Sequence, residues 1–238
     1  MMRLTELVVA CMCCVAVATV VSTPAQAASS AEVADLAARI DYGFYNDDTP
    51  AIDAARAALG RLGDAPAVRY YRDYASLRRA QLNPADRAPA RECADREVPA
   101  DLSPPVAAEA WILVAACGVV GQQSIRRVEQ ALSHARELDK RNPRVGLVEA
   151  WIMRHGAAAN AVANEDLATK LQQTVEAFDA WRAPPNAPEW GQAEALAALA
   201  EVTLARGQTR AARDLVERAL LLVPDYRVAV ELRARLRN

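Results

Sequence analysis

The chain has 238 residues, 53% of them hydrophobic and 24% charged, which is enough for one sizeable domain or a short repeat array. A formal charge of −2 argues against general nucleic-acid binding. The charge is uneven: residues 29–65 carry seven acids against three Arg, and residues 206–238 carry eight Arg against four acids, a pattern that solvated helix faces with i,i+4 pairs largely explain.

The N-terminus reads as an export signal. Arg3 supplies a basic start, weakened by Glu6, and an apolar stretch from Leu7 to Val21 is broken only by Thr19. Ala25-Gln26-Ala27 is a small-x-small cleavage site, and this order is the signature of a secretory signal peptide. The stretch of about 15 residues falls short of the roughly 20 that a spanning helix needs. Cleavage after Ala27 is expected, leaving a periplasmic or secreted protein with no integral membrane span. No twin arginine is present, so the general export route is expected. An uncleaved anchor is one alternative. Lipidation at Cys11, in the lipobox-like Val8-Val9-Ala10-Cys11, is another.

Cleavage removes Cys11, Cys13 and Cys14 and leaves Cys93 and Cys117, which are 24 positions apart. Two cysteines in an oxidising compartment are expected to pair. The alternative is two unrelated thiols, with Cys117 as core in an apolar helix.

After the signal, Ala, Leu, Arg and Glu dominate, all strong helix formers. No sustained period-2 alternation and no Asn-Gly or Asp-Gly turn supports a strand. Caps and breakers predict ten helices. The first spans 30–45. The second opens on Thr49 as N-cap with Pro50 at the first position and ends at Gly63. The third starts at 64–66 and ends near Leu82. Residues 83–103, with several prolines and scattered charges, read as a loop and as a subdomain boundary. The fourth helix runs from Ser103-Pro104 to Gly121, the fifth from Ser124 to Arg141, and the sixth from Asn142-Pro143 to His155-Gly156. The seventh runs from Asn164 to Trp181, followed by a proline-rich link at 183–188. The eighth spans 189–206, the ninth 209–223, and the tenth runs from Asp225 onward. The predicted organisation is a signal at 1–27, a helical unit at 28–82, the loop at 83–103 and an array at 104–238.

The array carries an internal repeat. Glu109-Ala110-Trp111-Ile112 recurs 40 residues later as Glu149-Ala150-Trp151-Ile152, and Glu194-Ala195-Leu196 follows after another 45. Such periods mark solenoids built from helix pairs, in which stacking supplies the core that one pair cannot. Residues 193–226 form the clearest unit. Leu196, Leu199 and Ala200 lie on its first helix, Gly207 at the turn, Ala212, Val216 and Ala219 on its second, and Pro224 at its end. Small residues are needed where two helices cross closely. Leu220-Leu221-Leu222 is expected to continue the buried face.

This unit resembles the tetratricopeptide repeat family. The likeness covers residues 104–238 well and 30–82 weakly. It implies an all-α fold, a right-handed helix-pair solenoid, with a protein or peptide segment of the bacterial envelope as partner. It also implies a role as interaction module or assembly scaffold, and no cofactor.

For chemistry, the sequence offers little. His134 and His155 have no metal-ligand spacing, and His155 at a helix end suits the helix dipole. There is no GxSxG, GxxxxGK[ST] or HExxH. No catalytic residue and no metal is expected, and the protein reads as a non-enzyme. A cell-wall glycan-acting enzyme is the alternative. It would require a buried Glu of raised pKa, for which Glu109, Glu149 and Glu194 are the recurring carboxylates. Two aromatic clusters stand out, Tyr42, Phe44 and Tyr45, and Tyr70, Tyr71 and Tyr74 interleaved with arginines. Tyr and Arg are enriched at binding hot spots, although packing between helices accounts for most such aromatics. Tyr42, Tyr45, Tyr70, Tyr74, Arg78, Thr203 and Arg206 are the groove candidates. Trp111 and Trp151 recur in register and read as core.

Overall fold

In a computed structural model, residues 29–156, 165–184 and 187–237 are described. The expected signal and cleavage site, and the Asn164 cap, lie outside them. The fold is all-helical, with eleven helices and no strand among the described residues. They are α1 (Ser30–Tyr45), α2 (Thr49–Arg61), α3 (Pro66–Leu82), α4 (Ala88–Ala94), α5 (Pro104–Val120) and α6 (Ile125–Leu138). Then follow α7 (Pro143–Gly156), α8 (Glu165–Ala180), α9 (Gln192–Ala205), α10 (Thr209–Leu222) and α11 (Arg227–Arg235). None is long and apolar enough to cross a membrane.

The cap chemistry explains most boundaries. Ser29 accepts from the Glu32 amide at the start of α1. At α2 the cap is Asp48, one residue earlier than the sequence suggested, because its carboxylate accepts the Ala51 amide at 3.0 Å. Prolines occupy the first turn of α3, α4 and α5, where the missing amide hydrogen is not needed. Residues 83–103 are therefore not all loop. Pro89 sits in the first turn of α4, and the helix formers Ala90 to Ala94 complete it. This adds the eleventh helix and gives α3, otherwise the odd helix, a partner. The α9 boundary also shifts, from Glu189 to Gln192. Gly191 has φ +110°, a left-handed conformation that stops the helix from starting sooner.

Each helix packs on the next, from α1 on α2 through to α10 on α11. The odd-numbered helices also stack directly, α1 on α3, α3 on α5 and α5 on α7. One hydrophobic core runs from Val33 to Leu236. In the 193–226 unit, Ala200, Ala212 and Ala219 are buried where α9 meets α10, beside Leu196, Leu199 and Val216. The Gly207 turn has φ +77°. Leu220 is buried, but Leu221 is 82% exposed, contrary to expectation. Successive helical residues are about 100° apart, so three in a row cannot share one face.

Cys93 and Cys117 are disulfide-bonded, with Cα atoms 5.8 Å apart, and the bridge ties α4 to α5 inside the core. The two ends of the described chain also meet. Tyr45 and Tyr226 pack edge to face at 4.9 Å, and Arg227 pairs with Asp47 at 3.0 Å. One ion pair thus joins the acidic 29–65 stretch to the basic 206–238 stretch.

Candidate functional site

Most of the predicted groove residues converge on one buried cluster. Arg78 on α3 is fully buried and bonds Glu194 on α9 through both terminal nitrogens, Nη1 to Oε2 at 2.9 Å and Nη2 to Oε1 at 2.5 Å. Tyr45 donates to the same carboxylate at 3.2 Å, and the Gly191 amide at 3.1 Å. The guanidinium lies 3.9 Å from the Phe44 ring centroid and 4.8 Å from that of Tyr74. Burial alone would lower the Arg78 pKa, but Glu194 outweighs it and holds the group well above its ordinary value. Beside it, the Tyr74 hydroxyl donates to Asp41 at 2.5 Å. Burial raises the Asp41 carboxyl against the opposing effects of Tyr74 and Arg78.

A second buried guanidinium mirrors the first. Arg144, at the start of α7, donates to Glu109 at 3.0 Å and to the Trp190 carbonyl at 2.9 Å, and also bonds the Pro188 carbonyl. Asn142 donates to Glu109 at 2.7 Å and accepts the Arg144 amide at 3.1 Å. Trp190 is buried between the two arginines, 5.3 Å from each, and its indole N–H donates to Tyr70 at 2.9 Å. The stretch from Pro188 to Trp190, which leads into α9, fills this space itself.

These contacts correct the groove reading. Tyr45, Tyr74 and Arg78 are committed to internal partners, and Thr203 is buried. Tyr70 is half-buried and holds Trp190. Only Tyr42, 60% exposed, and Arg206 face solvent. Trp111 and Trp151 are half-buried and pack against the core. Sequence reasoning missed Glu194, Arg144 and Trp190 as the centre of the cluster. The register of Glu109, Glu149 and Glu194 was the available signal: each is a carboxylate bound to at least one cation. His155 lies in the last turn of α7, where partial burial, with Arg154 and Arg87 nearby, lowers its pKa.

Glu109 has one further property. Burial pushes its carboxyl up against the pull of Arg144 and Asn142, and its Oε2 is buried without a hydrogen-bond partner. No group of three or more His, Cys, Asp or Glu suited to a metal occurs among the described residues.

The molecule is open elsewhere. A cleft of about 680 Å³ lies between the α6–α7 turn, α7 and the end of α8, a size within the usual range for ligand sites. Leu138, Pro143, Val145, Ala177 and the half-buried Trp181 give it an apolar lining. Gly146 forms part of its wall, where a Cβ would approach Thr174 Oγ1 to 2.7 Å, so α7 and α8 come together closely there. Within it Glu149 holds both Arg136 and Lys170. Burial works to raise the Glu149 pKa, but the hydrogen bonds from Lys170 and Arg136 prevail and lower it. Lys140, Arg141 and Arg182 also line the cleft, are exposed, and make no ion pair among the described residues.

The fold and its clusters define an all-helical chain with a self-filled interior and, among the described residues, several open charged clefts, that beside α7 and α8 together with others of about 540 Å³ at α4–α6 and about 590 Å³ at α10–α11. No protein-family model, no curated protein and no solved structure matches this chain.

Proposed function

We propose that the protein is an exported helix-pair solenoid of the tetratricopeptide kind, serving as a protein-interaction module or assembly scaffold in the bacterial cell envelope. The observation that carries this reading is the packing order, in which each helix stacks on the next and α1, α3, α5 and α7 stack in series, as α9 does on α11. Such arrays bury a continuous core and present extended surfaces to partners. The signal-like N-terminus and the paired Cys93 and Cys117 support export. Because Arg78, Arg144 and Trp190 already use the interior, a partner would contact the open outer surface, of which the cleft beside α7 and α8 is a candidate. Crosslinking and affinity capture from the envelope fraction test the reading. A stoichiometric protein partner is expected, and its absence would count against a scaffold. Mass spectrometry of the captured chain should find Ala28 as its first residue.

One observation favours a second reading, a glycan-acting enzyme. Glu109 has the burial and the raised carboxyl of a general acid. Unchanged cell-wall turnover in a Glu109→Gln strain would dispose of it.

A further inference from the structure

We propose that the cleft between the α6–α7 turn and α8 binds an extended acidic segment of a partner protein. This deepens the interaction-module reading and rests on it. Five cations line the cleft, Arg136, Lys140, Arg141, Lys170 and Arg182, against two carboxylates, Asp139 and Glu149. Both carboxylates are already engaged. Glu149 is shared by Arg136 and Lys170, and Asp139 accepts the Arg141 amide at 3.2 Å. The excess of three positive charges is therefore free to act on a ligand. It comes from two separate stretches of chain, Lys140 and Arg141 before α7 and Arg182 after α8. Charges so distributed suit carboxylates spaced along a chain better than one compact anion. Between them, Leu138 and the half-buried Trp181 offer apolar contact, which a bare polyanion has no side chains to use.

The lysines point to the same place. The whole chain has 28 cations and only two of them are lysines, Lys140 and Lys170, and both line this cleft. Arginine serves every buried ion pair described above, where a planar fork is required. Lysine, a compact and well-hydrated charge on a flexible stem, occurs only in the solvent-open cleft.

This scarcity supplies the test. A fluorescein-labelled 12-residue peptide alternating Glu with Leu and Pro serves as the probe, with a Gln-for-Glu version as control, read by fluorescence anisotropy on the purified protein. The acidic peptide should bind, weakening as salt is raised. The variant K140E/R141E/R182E should weaken it about tenfold or more, which is about 1.4 kcal/mol or more. R206E/R210E/R235E makes the same change in net charge on exposed residues outside the cleft and should weaken it less than about twofold. A zero-length carbodiimide should then join a peptide carboxylate to Lys140 as an amide, located by mass spectrometry. Lys140→Arg should abolish that crosslink while leaving the affinity within about twofold, since the charge is kept.

Equal weakening by both triple variants would overturn the proposal, since attraction would then follow net charge alone. So would equal binding of the Gln peptide, or crosslinks confined to the N-terminal amine. Lys140-dependent binding of phosphatidylglycerol vesicles in place of the peptide would reassign the cleft to a membrane surface. If the peptide does not bind but envelope capture still yields a partner, the module reading stands and the acidic-segment proposal falls.

Discussion

Arg78 and Arg144 carry charge into the core, and each survives there because a carboxylate and aromatic faces surround it. Removing one side of such a pair leaves the other buried and unpaired. Arg78→Ala should therefore cost about 3–5 kcal/mol in urea unfolding. A double change to Met at Arg78 and Glu194 should cost less than the single one, since no orphan charge remains. A larger loss in the double variant would show that the bonds from Tyr45 and Gly191 to Glu194 dominate. Asp41 gives a pH prediction. Its folded pKa is raised above 3.8, mainly by burial. The stability it contributes is whole below the unfolded value and is lost as pH rises through the folded one. Asp41→Asn keeps an acceptor for the Tyr74 hydroxyl but does not titrate. Its stability relative to the unmodified protein should rise as pH climbs from about 4 through the raised folded value, measured by urea midpoints. A constant difference would mean that Asp41 does not titrate over that span. At this scale the sequence showed the residues but not their partners. The register of Glu109, Glu149 and Glu194 was visible, whereas the Arg78–Glu194 pair spans 116 positions, and no local pattern records that.

Among elements, the caps were legible because they are local. Ser103-Pro104, Asn142-Pro143 and Gly207 each mark a boundary within three residues of chain. α4 was not, because Pro84, Pro89 and Pro99 together look like loop while only Pro89 lies within the helix, in its first turn. The bridge between Cys93 and Cys117 anchors this seven-residue helix, which is too short to persist alone in water. Closing a loop of this length should contribute about 3 kcal/mol. Guanidinium unfolding with and without reductant measures it, and the C93A/C117A variant should match the reduced protein. Coincident curves under the two conditions would show that the thiols are not paired in the protein as isolated.

For the whole molecule, the contact between the end of α1 and the start of α11 joins the first described helix to the last. The exposed Arg227–Asp47 pair adds little, whereas Tyr226 and Tyr45 are both buried. Tyr226→Ala should cost about 3 kcal/mol, as for other large buried aromatics. Amide exchange should then quicken in α1 and α11 together. Quickening in α11 alone would mean that the two ends open independently. The uneven charge along the sequence did not reveal this closure, because solvated helix faces give the same pattern.

The way Arg144 holds the chain entering α9 bears on how this protein can evolve. Its guanidinium binds the main-chain carbonyls of Pro188 and Trp190, groups that every amino acid supplies. Mutation at the exposed Glu189 between them leaves that grip unchanged. Drift should accumulate there while Arg144 and Glu109 stay fixed, so that lineages diverge in the connecting strap and agree in the residues that clasp it.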